Sequence, residues 1–342
     1  MPLKNIKTSV AIMLGLLVFF MMADATAQYH GQSYALVIGI DKFSSAKWPK
    51  LSYAKKDAEG VADFLRSQGF KVFSLYNERA TKTAIIAMLQ NILAPLLKEN
   101  DRVLVFFAGH GFTETLGGEE RGYIVPYDGG DYSATYVSME ELRDQSSKMG
   151  NAKHQLFIFD SCYGGLFGTR GARPLETNIP NYIGEAAKRP ARQFITAGGA
   201  NQQVLDGGSR GHSFFTQYLL EALRDGLGDV NNDGYITFTE LAGYLLPRAS
   251  NSYQTPASGS LPGHGLGEFI FISPKGIAKS DTAGNKSGSK TAIAKPKSKK
   301  WLWIGLGTAA IGGGVAAVLS GSNGGGKPNQ KLDDPPGAPT GN

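Results

Sequence analysis

With 342 residues the chain can hold one large domain or two small ones, and its single cysteine excludes an internal disulfide framework. The formal charge of +6 is concentrated, because residues 275–300 carry eight lysines against one aspartate and leave the rest close to neutral. Nucleic-acid binding calls for a basic face on a folded domain, so a charge excess confined to a linker excludes nucleic acid as an expected partner.

Residues 1–27 read as a signal peptide. Lys4 and Lys7 precede the apolar stretch Val10 to Met22, and Ala25-Thr-Ala27 supplies a small-residue cleavage site. An uncleaved anchor is the competing reading, and the shortness of the stretch favours cleavage. Either way the domain that follows is exported, to the periplasm or cell envelope. An unpaired thiol is a liability in an oxidising compartment unless it has a reactive role or an intermolecular partner.

From Tyr34 to about Ser273 strand and helix signals alternate, the pattern of an α/β domain with a mostly parallel sheet. Ala35-Leu-Val-Ile-Gly-Ile40 is a buried strand. Ala58, Val61, Ala62 and Leu65 then fall at helical spacing over 54–68, and Gly69 stops the helix. Lys71 to Tyr76 alternates as a strand, and 81–98 is an apolar-periodic helix. A second buried strand, Val103-Leu-Val-Phe-Phe-Ala108, ends in Gly109-His110-Gly111, and a glycine-rich excursion covers 113–122. Ser138-Met-Glu-Glu141 is a capping box that opens a helix toward Met149.

A third buried strand, Leu156-Phe-Ile-Phe-Asp-Ser-Cys162, ends in the only cysteine, fifty-two residues after His110. Both reactive side chains therefore leave carboxyl ends of strands, where a parallel sheet opens its ligand crevice. A thiol and an imidazole at one edge make a nucleophile and its base. Against this stands the bland reading of a small buried cysteine and a satisfied core histidine. Flanking glycines, an aspartate two residues before Cys162 and placement at strand ends favour chemistry. Residues 168–192 are polar and poor in regular signals. A strand over Gln193 to Ala197, a helix over Phe214 to Leu223 and a last strand over Glu268 to Ile272 complete the domain.

These residues resemble the caspase-like cysteine peptidases, closest to the metacaspases and their bacterial relatives. The resemblance rests on Ala35-Leu-Val-Ile-Gly-Ile40, Asp57-Ala58, Phe107-Ala-Gly-His-Gly111, Asp160-Ser-Cys162, Ile195-Thr-Ala197 and Gly211-His-Ser-Phe-Phe-Thr216. It implies an α/β caspase-like fold, a mostly parallel central sheet flanked by helices on both faces, over 28–275. It implies a cysteine endopeptidase in which Cys162 is the nucleophile and His110 the acid–base. The backbone N–H groups of Cys162 and Gly111 would form the oxyanion hole. Metacaspase-like specificity for Arg or Lys before the cut would fall to Asp57 and Asp160, with protein or peptide substrates as partners. Ala108 stands where many metacaspases have serine, and Tyr163-Gly164 replaces the frequent His-Ser, which touches fine specificity more than the core chemistry. The basic residues of 168–192 lie where caspases are cut between their large and small parts, so self-processing is an expectation there.

Residues 229–240 fit the twelve-residue EF-hand loop. Asp229, Asn231 and Asp233 offer side-chain oxygens, Tyr235 its carbonyl and Thr237 the ninth position. Gly234 permits the turn, and Glu240 can clasp the ion with both oxygens. Calcium is the expected cofactor, in a structural or a regulatory role, and no organic cofactor is expected. An Asx-rich turn that caps the next helix without metal is the alternative.

Residues 276–300 form a flexible basic linker. Residues 301–320 carry no charge and are long enough to span a bilayer, with Trp301 and Trp303 suited to the interface. They form a candidate transmembrane helix that would tether the domain to membrane. The adjoining lysines run against the positive-inside tendency and leave its topology open. Residues 321–342 are a Gly/Pro-rich disordered tail. The competing function is a catalytically silent calcium-binding scaffold or interaction module on a caspase-like fold.

Overall fold

The computed structural model describes residues 30–162, 167–170, 181–199, 207–208 and 210–275, with Cys162, Thr169 and Arg170 described by their backbone alone. In chain order the first elements are β1 (Ser33–Gly39), α1 (Ala54–Ser67), β2 (Lys71–Tyr76), α2 (Lys82–Ala87) and β3 (Arg102–Ala108). There follow β4 (Gly111–Leu116), β5 (Glu119–Ile124), β6 (Val137–Ser138), α3 (Met139–Lys148) and β7 (His154–Cys162). The chain continues through β8 (Thr169–Arg170), α4 (Tyr182–Lys188), β9 (Ala191–Gly198) and α5 (Phe214–Leu223). Last come β10 (Tyr235–Thr237), α6 (Phe238–Ala249), β11 (Ala257–Ser260) and β12 (Ile270–Ile272).

Seven described strands form the central sheet, in the order β2-β1-β3-β7-β9-β11-β8. From β2 to β9 all pairs are parallel, and β11 is antiparallel to both β9 and β8. Apolar runs build these strands because both faces are covered. Side chains alternate between faces. Ala35, Val37, Leu104, Phe106, Leu156 and Ile158 join a cluster with Val61 and Leu65 of α1, Leu219 of α5 and Leu241 of α6. Leu36, Ile38, Val105, Phe107, Phe157 and Phe159 join another with Ile85 of α2 and Met139 and Leu142 of α3. The outcome is the α/β three-layer arrangement expected from the sequence.

The helix boundaries follow their signals. Gly69 leaves α1 at φ +79°, a backbone state that glycine adopts without strain. Ser138 and Glu141 form the capping box of α3 reciprocally, at 3.0 and 2.8 Å. The helix expected over 81–98 begins at Lys82, behind the Thr81 cap, and passes through a π-helical stretch, Met88–Leu93, before its final turn, Ala94–Leu96.

Three readings differ from the sequence pattern. The excursion over 113–122 is a β-hairpin, β4 against β5, turned by Gly117 and Gly118 at φ +61° and +84° and extended by β6 into a three-stranded sheet. The stretch read as irregular over 168–192 contains α4, whose Ile183, Ala186 and Ala187 bury one face. Within it, 171–180 lies outside the described residues. The last strand, β12, pairs with β10 and not with the central sheet. Among the described residues no helix is long and apolar enough to cross a membrane. The signal (1–27), linker (276–300), candidate span (301–320) and tail (321–342) all lie outside those residues.

A buried basic cluster underlies the β3 and β7 amino ends. Arg102 is 1% exposed, with its guanidinium over the rings of Phe70 and Phe269 and hydrogen bonds to Ser33 Oγ and the Ile270 carbonyl. His30 and His154 meet edge to face at 4.7 Å, and His154 Nε2 donates to the Arg189 carbonyl at 2.9 Å. Burial, with Lys153 and Arg102 adding repulsion, pushes His154 down to about 3, and burial beside Arg102 pushes His30 below the usual histidine range as well. Both rings stay neutral in the folded protein but gain a proton in the unfolded chain below about pH 6.5. Their stabilisation is therefore present above that pH and is lost as pH falls. Lowering pH from 7.5 to 5.5 is expected to cost about 3 kcal/mol for the pair, about 1.4 kcal/mol per histidine, most of it over the unit below 6.5. Urea unfolding at the two pH values measures it. The same loss in His154→Gln as in wild type would contradict the assignment.

Candidate active site

Strands β3 and β7 are parallel neighbours in register, with Ala108 opposite Asp160. Two residues beyond each register position lie His110 and Cys162. Both therefore leave the sheet at adjacent carboxyl ends, the edge where open α/β sheets take ligands. The Gly109 N–H reaches back to the Asp160 carbonyl at 3.4 Å, so the strand ends are joined up to the turn. On its other side β7 pairs with β9, and the register shifts between Phe159 and Cys162 before Cys162 meets Gly198. Irregularities of this kind end regular pairing next to active sites.

His110 is half-buried between the rings of Phe43 and Trp48, with centroids 5.0 and 5.4 Å away. Its Nε2 lies 2.8 Å from the Pro49 carbonyl. A carbonyl only accepts, so Nε2 carries the proton, and Nδ1 is the nitrogen that can exchange one with a reacting group. Gly111 opens β4 opposite Ile124.

The two carboxylates singled out from the sequence converge on one turn. Asp57, in the first turn of α1, is 1% exposed and accepts from His212 Nδ1 at 2.7 Å and from the Ser213 N–H at 3.2 Å. Asp160, 5% exposed, accepts from the hydroxyls of Ser213 and Thr216. Ser213 is also the N-cap of α5, its hydroxyl accepting from the Thr216 N–H at 3.0 Å. One serine thus links both acids to a helix N-terminus, which favours negative charge. Burial pushes the Asp57 carboxyl up, and the hydrogen bonds from His212 and Ser213 pull the other way. Pattern reading assigns no role to His212 or Ser213. The available signal was local, a serine placed before the apolar Phe214-Phe215 as an N-cap. Nothing in the sequence joins that cap to Asp57.

The 229–240 loop lies apart, between α5 and α6. Asp229 is 1% exposed and accepts from the N–H groups of Asp233 and Gly234 at 3.1 and 3.3 Å. Asn231 Oδ1 accepts from Asp233 N–H at 2.8 Å, and Asp233 Oδ1 from Tyr235 N–H at 2.9 Å. Gly234 takes φ +96°, as the turn requires. Glu240 caps α6 in a capping box with Thr237, using Oε2. Its Oε1 is buried without a hydrogen-bond partner among the described residues. Burial pushes the Glu240 carboxyl up, with Asp233 and Asp229 adding repulsion against the bonds from Thr237. Among the described residues, no three His, Cys, Asp or Glu side chains gather closely enough to hold a metal by themselves. A loop of this pattern also draws on amide, hydroxyl and carbonyl oxygens.

The model of the caspase domain, peptidase family C14, matches residues 32–247. The crystal structure of protein GSU0716 from Geobacter sulfurreducens is similar at 20% sequence identity and a TM-score of 0.49, over 68% of this chain and 94% of that one. No curated protein matches the chain.

Proposed function

This chain belongs to the caspase domain family of peptidases, and from that premise we propose that it is a cysteine endopeptidase using Cys162 and His110 and cleaving after Arg or Lys. The observation that carries the reading is the register of β3 and β7, which delivers His110 and Cys162 to neighbouring strand ends. His110 Nδ1 takes the proton of the Cys162 thiol, the resulting thiolate attacks the scissile carbonyl carbon, and the N–H groups of Cys162 and Gly111 stabilise the oxyanion, each by about 3–4 kcal/mol. As the intermediate collapses, the C–N bond breaks and His110 Nδ1 gives its proton to the leaving amine. His110 Nδ1 then takes a proton from water as its oxygen attacks the thioester, the C–S bond breaks, and Nδ1 returns that proton to the departing sulfur to restore the thiol.

Asp57 and Asp160 support basic specificity, since two buried carboxylates beside the nucleophile strand can recognise a guanidinium or ammonium by charge-assisted hydrogen bonds. Peptides that differ only in the residue before the cut test this. Turnover is expected with Arg and Lys and not with Asp or Leu. No turnover of any peptide would leave the silent scaffold.

Calcium binding at 229–240 belongs to the same proposal. The buried Glu240 Oε1, facing repulsion from two aspartates, is the oxygen that a cation would satisfy. Asp229, Asn231, Asp233, Thr237, Glu240 and the Tyr235 carbonyl would hold it. Calcium in place of EDTA is expected to raise the unfolding temperature of the wild type, since ligand at a hundredfold its Kd adds about 2.7 kcal/mol. The double variant Asp229→Ala, Glu240→Gln is expected to show no rise. A wild type that melts identically in both buffers would end this part of the proposal. Export through 1–27, to the periplasm or envelope, and membrane association through 301–320 complete the reading, on their composition alone.

A further inference from the structure

The loop between β1 and α1 carries three supports of the His110 imidazole, the Phe43 and Trp48 rings and the Pro49 carbonyl. At its ends this loop is held by backbone bonds, Ser44 N–H to the Tyr127 carbonyl and Leu51 N–H to the Asp41 carbonyl. Its apex is held differently. Lys47 Nζ donates to the Tyr136 hydroxyl at 2.8 Å and to the Asp131 carbonyl at 2.9 Å. The same ammonium lies 5.1 Å from the centroid of Phe112, 5.2 Å from Trp48 and 5.4 Å from Tyr136. Those three rings also pack on one another, Trp48 edge to face with Phe112 at 6.0 Å and with Tyr136 at 5.4 Å. Phe112 lies in β4, two residues beyond His110, and Tyr136 directly precedes β6.

We propose that Lys47 is a positioning residue for His110, acting through Trp48 and Pro49, an inference that rests on reading His110 as the acid–base. A cation over ring faces is attracted by their quadrupoles, and its hydrogen bonds fix where it sits. Lys47 therefore pins the apex of the loop to the β4–β5–β6 sheet, which begins at the residue after His110. The next two residues of the loop then present a ring wall and a carbonyl to the imidazole. Without the pin, the Pro49 carbonyl and Trp48 lose their fixed distance from Nε2, and the Nε2–H tautomer that leaves Nδ1 for chemistry is no longer held. Substrate contacts through Asp57 and Asp160 are untouched, so the effect belongs to turnover and not to binding.

The test compares Lys47→Met, which keeps the apolar stem, with Lys47→Arg, which keeps the cation. Lys47→Met is expected to lower kcat about tenfold through misplacement of the acid–base, with KM within about twofold of wild type. Lys47→Arg is expected to restore most of the turnover. A readout independent of activity is the exchange of the His110 Nε2 proton with solvent by NMR, assigned by its loss in His110→Gln. That proton is expected to exchange faster in Lys47→Met and at the wild-type rate in Lys47→Arg. Wild-type kcat and exchange in Lys47→Met would overturn the proposal, as would Lys47→Arg failing like Lys47→Met. If the wild type turns over no peptide, the peptidase reading falls and the proton exchange still decides whether Lys47 positions the ring.

Discussion

Cys162→Ala is expected to lower peptide turnover by about 10³-fold or more, since removing a nucleophile leaves only what the oxyanion donors and binding supply. The expectation follows from where the chain places its one cysteine. From Leu156 through Phe159 β7 is apolar and buried, so the fold is carried by residues before Cys162. The strand then departs from regular pairing and ends at Cys162, beside the end of β3. The substitution is therefore expected to leave the circular dichroism spectrum unchanged while activity disappears. Turnover by Cys162→Ala within about tenfold of wild type, under matched conditions, would remove the nucleophile assignment.

The second large effect is expected at Asp160. Asp160→Asn keeps the shape and one oxygen for the hydroxyls of Ser213 and Thr216, but removes the charge. Loss of one partner from a buried charged hydrogen bond costs about 2–5 kcal/mol, or about thirty- to several-thousand-fold in kcat/KM for Arg and Lys substrates. Substrates with a neutral residue before the cut gain nothing from the carboxylate, so their slow turnover is expected to change little. The preference for basic residues should therefore shrink, and that ratio separates specificity from damage to the fold. An equal loss across all substrates would assign Asp160 to the support of α5 alone.

The parts of the fold that were legible in the sequence are those whose signals are local. Continuous apolar runs mark β1, β3 and β7 because a strand covered on both faces needs nothing else. Ser138 with Glu141, and Gly69, mark helix ends by chemistry contained within four residues. The β4–β5 hairpin escaped because its residues are mostly half-exposed and polar, although Gly117-Gly118 is itself a hairpin signal. β11 escaped because Ala257-Ser-Gly-Ser260 carries no β-branched or aromatic residue. The site divides in the same way. Cys162 and His110 are legible because each closes an apolar run. Asp57 meets His212 across 155 residues of sequence, and Lys47 meets Tyr136 across 89, contacts that only the fold creates.

In the proposed reaction Cys162 and His110 act together on a basic substrate. The most direct measurement of this is tandem mass spectrometry of the full chain after reaction with a peptide that carries a thiol-directed electrophile in place of the scissile bond. With arginine before the electrophile, one adduct is predicted, on Cys162. That adduct is predicted to form far more slowly in His110→Ala, and in wild type when aspartate replaces arginine in the peptide. Labelling of Cys162 at the same rate in all three cases would rule out the dyad, because it would report an ordinary exposed thiol and not a catalytic one.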